Sequence, residues 1–211
     1  MKNQLKLKEH NKKGILIVFE GTDGAGKTTL MKHAVEFLRK NTDAVVVTTK
    51  QPTNRVRRSK LFSTMLHTEN PDVDYRAVQL STLSDRLDHQ CREILPALNE
   101  GKIVVCDRYI YTSVANMLAR GYKNEDWFFT LAKQIVRPDI IFHASAEPEL
   151  AISRIRSREN EKDKFLDEPL LRGVYDQFHK MAKKQGFITL DTSAPMENNK
   201  ERISNILREV C

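Results

Sequence analysis

The residues Gly21-Thr22-Asp23-Gly24-Ala25-Gly26-Lys27-Thr28, with Thr29 next, have the types and spacing needed to hold phosphate. A G-x-x-x-x-G-K-[ST] run forms a loop whose backbone N–H groups turn inward on concentrated negative charge. Gly21 and Gly26 permit backbone angles that a side chain would forbid. Lys27 reaches β- and γ-phosphates, and the Thr28 hydroxyl can ligate Mg²⁺. Two further segments are chemically armed: Thr49-Lys50-Gln51-Pro52-Thr53-Asn54-Arg55 with Arg57 and Arg58 behind it, and Asp107-Arg108-Tyr109. Asp107 follows an apolar run, where a nucleotide-binding loop protein keeps a Mg²⁺-holding aspartate, and capping of the next helix is the lesser alternative. Arg108 is suited to forking a phosphate bidentately, and a structural ion pair is its alternative. Asp85-Arg86 lies mid-helix and, taken alone, reads as a solvated face. Arg154, Arg156, Arg158, Lys162 and Lys164 cluster at a helix end and the loop after it. That is either solvated surface or a basic lid, near residues 154–165, that closes over a migrating phosphoryl group.

The elements that must position these groups follow from hydrophobic patterning. Residues 14–20, 44–49, 103–106, 140–144 and 187–190 are short, nearly continuous apolar runs, as expected of strands covered on both faces of a parallel sheet. Helical periodicity lies between them. Lys27 to Lys40 places Leu30, Met31, Ala34, Val35 and Leu38 on one face, and Arg76 to Leu98 repeats Ala77, Leu80, Ser84, Leu87, Cys91, Ile94 and Leu98. Glu147 to Arg158 opens with Pro148 in its first turn, Leu170 to Met181 forms another stripe, and Ile203 to Val210 closes the chain. The pattern predicts an α/β fold: a doubly wound, five-stranded parallel sheet with helices on both faces and ligands at the carboxyl ends of the strands. Residues 14–211 read as a single domain, and the polar, lysine-rich residues 1–13 as a frayed leader.

Composition excludes several classes. The 211 residues suit one domain, and no run approaches 18 consecutive apolar residues, so no membrane association is expected. Three widely spaced cysteines, Cys91, Cys106 and Cys211, fit reduced core thiols in a cytoplasm better than disulfides or zinc ligands. The formal charge of +7 interleaves 35 basic with 28 acidic residues and no RNA-binding signature, so a polyanionic small substrate is preferred to nucleic acid.

Together these segments resemble the thymidylate kinase family, P-loop enzymes that pass a phosphoryl group from ATP to dTMP. F-E-G-T-D-G-A-G-K-T-T, S-D-R-L-D-H, C-D-R-Y-I-Y-T-S and R-I-R-S-R appear in the family's order across residues 14–211. The resemblance implies that residues 21–29 hold the ATP phosphates, that Asp23 faces the acceptor's sugar and phosphate, that Arg108 grips its phosphate and that Arg86 points at its base. Gln51, Pro52, Arg55, Ser113 and Asn116 are implied in acceptor binding, Lys27, Arg108, Arg154 and Arg158 in catalysis, and Thr28 and Asp107 in holding Mg²⁺. Asp191-Thr192-Ser193-Ala194 matches the segment that touches adenine, and a homodimer is implied. Gly24 stands where some members carry arginine, which shifts catalytic charge onto Arg154 and Arg158. Other departures are Lys50-Gln51 for an arginine and glutamate, Thr82 for an aromatic that stacks on thymine, Asn116 for a tyrosine near the sugar, and Lys164 for a lid arginine.

Four other functions use related folds or sites. A nucleoside kinase needs a carboxylate after the second strand to take a hydroxyl proton, and residues 48–60 contain no Asp or Glu. A GTP-dependent switch needs N-K-x-D and D-x-x-G, and neither occurs. A nucleotide-binding regulator without turnover stays open at this level, as does a pyrimidine nucleotide kinase with relaxed base or sugar specificity.

Overall fold

The computed structural model describes residues 5–69, 71–159 and 165–210. Five strands form one parallel sheet in the order β2-β3-β1-β4-β5. They are β1 (Ile15–Glu20), β2 (Val46–Lys50), β3 (Ile103–Asp107), β4 (Ile140–Ser145) and β5 (Ile188–Asp191). The expected doubly wound α/β architecture is therefore what the chain adopts. Register aligns Phe19 with Asp107 and Glu20 with His143, so the chemically armed strand ends meet at one edge of the sheet.

Alternation along β1 builds two cores. Ile17 and Phe19 face α1 (Lys27–Asn41) and α10 (Met196–Arg208), meeting Leu30, Leu38, Ile203 and Leu207. Leu16 and Val18 face the opposite layer with Val78, Leu83, Val114 and Phe178. That layer comprises α4 (Tyr75–His89), α6 (Ile110–Ala119) and α9 (Glu168–Gln185). Each wholly buried Leu, Ile or Phe contributes about 1.5–3 kcal/mol. The short α2 (Asn54–Arg57) and α3 (Lys60–His67) precede α4; α5 (Leu95–Asn99), α7 (Asp126–Ala132) and α8 (Pro148–Arg156) complete the helices.

Three expectations are corrected. Residues 5–10 do not fray: Leu5 joins a core, and Lys8 exchanges backbone hydrogen bonds with Ile135 and Arg137. Secondly, the inward face of α4 is not the expected stripe but mixes Tyr75, Val78 and Leu83 with polar groups, although Ile94 and Leu98 of that stripe, beyond α4, are buried as expected. Gln79, Thr82, Asp85, Arg86 and His89 are buried, whereas Ala77, Leu80 and Ser84 are exposed. The buried polar groups of the site override simple amphipathic reading. Thirdly, Cys106 is a buried thiol but Cys91 is exposed; Cys211 lies outside the described residues. The inward stripe passes through His89, Gln90 and Ile94, because residues 90–94 form a π turn in which the Leu95 N–H reaches the Gln90 carbonyl. Pro96 cannot donate to residue 92 and its ring crowds that carbonyl, so the wider turn accommodates it.

Candidate active site

The loop between β1 and α1 is shaped by its glycines. At Gly21, φ is 137° and an added Cβ would lie 2.3 Å from the Ala144 carbonyl oxygen. At Gly24, φ is 76° and the same atom would lie 2.2 Å from the Ala151 oxygen. With α8 packed this closely, no side chain fits at position 24. Gly26 precedes α1 without a capping side chain, and the first turn carries no acid, so its N–H groups and positive dipole end remain for an anion. Thr28 and Thr29 are exposed in that turn, Ala25 is buried, and Lys27 is only 7% exposed. The Lys27 ammonium donates to the carbonyl oxygens of Gly21 (3.0 Å) and Thr22 (2.6 Å). Burial, then repulsion from Arg108, pushes its pKa down to about 7.

Arg108 follows β3 with φ 67°, the one non-glycine residue at positive φ among those described. Its surroundings hold it there. Its N–H donates to the Phe19 carbonyl at 2.9 Å. Glu20, wholly buried at the end of β1, accepts from the Tyr109 N–H (2.8 Å), the Thr112 N–H (3.2 Å) and the Thr112 hydroxyl (2.6 Å). Burial raises the Glu20 pKa, opposed by those hydrogen bonds and by Arg108. The Arg108 guanidinium donates from Nη1 to the Gly21 carbonyl (2.9 Å) and Thr112 Oγ1 (3.2 Å), and from Nη2 to Asp23 Oδ1 (2.5 Å). That guanidinium holds the Asp23 carboxyl well below the usual carboxylate range, with Lys27 and Arg158 adding to the effect. Strain of this sort, kept in place by its neighbours, is characteristic of ligand clamps.

Asp107 pairs through Oδ2 with Lys50 at 3.3 Å, while its Oδ1 is buried without a hydrogen-bond partner. An orphaned carboxylate oxygen on a residue close enough to Lys27 to raise its pKa suits a hard divalent cation, which prefers oxygen donors. Among the described residues no cluster of three or more His, Cys, Asp or Glu could hold a metal alone.

On the opposite side, Arg154 of α8 donates to Gly24 O (3.4 Å), Thr192 Oγ1 (2.9 Å) and Thr192 O (2.8 Å). Thr192 Oγ1 lies 3.0 Å from the Ala25 carbonyl, so Arg154 and Thr192 tie the phosphate loop to the end of β5. Arg158 is close enough to Asp23 to lower its pKa. Lys162 and Lys164 of the expected lid lie outside the described residues.

Across the site, Arg86 is fully buried, donating from Nη1 to Thr82 O (3.2 Å) and from Nη2 to Tyr109 O (3.1 Å). Its Nε has no hydrogen-bond partner. Ser113 is buried on α6, and Asn116 donates from Nδ2 to Thr112 O at 2.9 Å. Gln51 is buried and followed by Pro52, whose carbonyl accepts from Arg57 Nε at 2.7 Å. Arg55 turns away to Asp85 (3.7 Å) and Asp88 (3.3 Å). Arg57 instead is lowered in pKa by burial and then by Arg108, and it also feels Asp107 and Asp23. Sequence reasoning counted Arg57 among the basic residues that follow the second strand but singled out Arg55 from them, and it assigned no role to Glu20 or His89. The F-E-G segment and the histidine of S-D-R-L-D-H were the available signals; nothing in spacing alone separates residue 57 from 55.

A phosphate loop at the first strand end, facing a strained D-R-Y turn across a parallel sheet, defines a P-loop nucleotide kinase. The family model for thymidylate kinase matches residues 19–203. The chain is 33% identical to a thymidylate kinase of Ligilactobacillus salivarius, covering 92% of this chain and 89% of that protein. It is 31% identical to a thymidylate kinase of Onion yellows phytoplasma, over 93% and 98% of the two chains. A probable thymidylate kinase of Thermococcus kodakarensis is 35% identical, over 80% of this chain and 84% of the relative. The chain belongs to the thymidylate kinase family.

Proposed function

We propose that this protein transfers the γ-phosphoryl group of ATP to dTMP, giving ADP and dTDP. One observation carries the reading: Lys27 of the phosphate loop and Arg108 of the facing turn both donate to the same Gly21 carbonyl, at 3.0 and 2.9 Å. The two cations are therefore within about 6 Å of each other, so two phosphate-bearing ligands are drawn end to end. Residues 21–29 hold the donor phosphates, with Lys27 on the β- and γ-oxygens. Arg108, beside Asp23, grips the acceptor phosphate. Arg86, Ser113 and Asn116, with Gln51 and Pro52, bound the acceptor nucleoside, Arg55 being drawn off to Asp85 and Asp88, and Arg154 and Arg158 bring further positive charge to the transferring group. An acceptor phosphate is already anionic near neutral pH, so its oxygen attacks in line with no general base and no covalent enzyme intermediate. Thr28 and Asp107 would hold Mg²⁺, which supplies charge neutralisation at the donor phosphates when bound.

Residues 14–211 act as one kinase domain with its lid near residues 154–165. A homodimer belongs to the same reading, supported by Ala77, Leu80 and Ser84, which α4 turns outward, with Leu80 half exposed. So does a cytoplasmic location, with no nucleic-acid partner. Among the described residues no helix is long and apolar enough to cross a membrane. The test is ADP release measured with dTMP, dUMP, UMP and dCMP as acceptors, with Lys27→Ala as control. Acceptor-dependent ADP, greatest with dTMP and lost by about three orders of magnitude in the variant, is expected. ADP release independent of any acceptor, or near-normal turnover by Lys27→Ala, would overturn it.

A further inference from the structure

We propose that Thr112 is a positioning residue: its hydroxyl, oriented by Glu20, aims the Arg108 guanidinium at the acceptor phosphate. The inference rests on the reading that Arg108 grips a nucleoside monophosphate. Helix α6 opens after Tyr109, whose side chain makes no capping hydrogen bond, and its first turn carries no acid. The cap comes instead from the end of β1, 89 residues before Tyr109. Glu20 Oε1 accepts from the Tyr109 N–H at 2.8 Å and from the Thr112 N–H, one turn on, at 3.2 Å. A helix ordinarily draws such bonds from its own capping side chain. Here a wholly buried carboxylate supplies them and meets the positive end of the helix dipole, so strand and helix are locked together.

The second carboxylate oxygen reaches the Thr112 side chain. Its hydroxyl donates to Glu20 Oε2 at 2.6 Å. A hydroxyl has one proton and two lone pairs, so this donation fixes the rotor and turns a lone pair outward. Arg108 Nη1 uses it, donating to Thr112 Oγ1 at 3.2 Å and to the Gly21 carbonyl at 2.9 Å. Nη2 donates to Asp23 Oδ1 at 2.5 Å. Nε makes no hydrogen bond among the described residues, so its N–H and a second one on Nη2 are left for phosphate oxygens. The three acceptors that set the guanidinium's angle are not equivalent. Asp23 is exposed, and the Gly21 carbonyl is shared with Lys27 of the donor loop. Thr112 alone ties Arg108 to the helix of the acceptor side. The same helix carries Ser113 and Asn116, and Asn116 donates to the Thr112 carbonyl at 2.9 Å.

Steady-state kinetics on the full chain test this, with Thr112→Val, Thr112→Ser, Glu20→Gln and the Glu20→Gln/Thr112→Val double variant. Valine keeps the branched shape and the backbone N–H at position 112 but has no hydroxyl. Thr112→Val should raise KM for dTMP about tenfold while KM for ATP changes less than about twofold. Thr112→Ser, which keeps the hydroxyl, should recover most of that loss. In Glu20→Gln the carbonyl oxygen still caps α6, and the amide N–H₂ then faces Thr112 Oγ1. The hydroxyl proton must swing towards Arg108, and KM for dTMP should rise by a similar factor. Both changes break one relay, so the double variant should be no worse than either alone. Thermal unfolding shows whether each variant folds, and if Thr112→Val does not, Thr112→Ala takes its place. An unchanged KM for dTMP in Thr112→Val, an equal rise in both KM values, no recovery in Thr112→Ser, or additive losses in the double variant would overturn the proposal. Absence of dTMP-dependent ADP release by the wild type would instead refute the functional reading on which it rests.

Discussion

Lys27 should take up a proton when ATP binds. In the free protein its ammonium is enclosed by the phosphate loop and lies near Arg108, and its pKa is pushed down to about 7. The triphosphate reverses both causes, because polyanionic oxygens stabilise the charged form more than burial penalises it. At pH 8 a group of pKa about 7 is about 90% neutral, so binding should draw about 0.9 proton per site from the buffer. Calorimetric titration with ATP in two buffers of different ionisation enthalpy reads that number directly. Working at pH 8 keeps the nucleotide's own phosphate ionised, and Lys27→Met supplies the baseline. The variant should take up almost no proton. Stability carries the same signature. The folded pKa lies below the unfolded value of about 10.4, so the folded state binds fewer protons between the two, and the penalty is complete below pH 7. Stability of the free protein should therefore rise with pH from about 7 towards 10, by an amount on the order of 4–5 kcal/mol in the limit, and Lys27→Met should flatten that rise. Equal proton uptake by wild type and variant at pH 8 would refute the argument.

Glu20→Ala removes the acceptor for the buried Tyr109 N–H and for the N–H and hydroxyl of half-buried Thr112. At about 1–3 kcal/mol for each orphaned donor, the three together should lower stability by about 3–9 kcal/mol and weaken dTMP binding more than ATP binding, as read by denaturant titration and calorimetry. Dimer formation should depend on the outward face of α4: Leu80→Glu should yield monomers in sedimentation velocity while far-UV circular dichroism stays unchanged. A dimer retained by that variant would place the contact elsewhere.

Much of the fold was legible because the signals were local and redundant. The strands of a sheet covered on both faces read as continuous apolar runs, and all five appear within a few residues of their expected limits. The phosphate loop was legible for the same reason, its spacing being tied to its geometry. What escaped depended on tertiary context. The inward face of α4 carries Gln79, Asp85, Arg86 and His89 among Val78 and Leu83, so hydrophobic periodicity picked Ala77, Leu80 and Ser84 of the outward face instead. Residues 5–10 read as polar tail, yet they pair with residues 135–137, a contact no local pattern announces. Glu20 ends an apolar strand, and only the approach of Tyr109 and Thr112, about 90 residues later, gives its carboxylate a task. Arg55 and Arg57 differ by two positions on a short helix, yet Arg57 folds back onto the Gln51 and Pro52 carbonyls while Arg55 reaches Asp85 and Asp88, a division that depends on how α4 packs.

The central claim is that two cations sharing one carbonyl bring a triphosphate and a monophosphate tip to tip, and phosphorus-31 NMR of the complete reaction tests it most directly. With protein, ATP, Mg²⁺ and dTMP, the γ-phosphoryl and monophosphate signals should decline together while ADP and dTDP appear in equal amounts. Inorganic phosphate in place of dTDP, or unchanged spectra from folded protein, would contradict it.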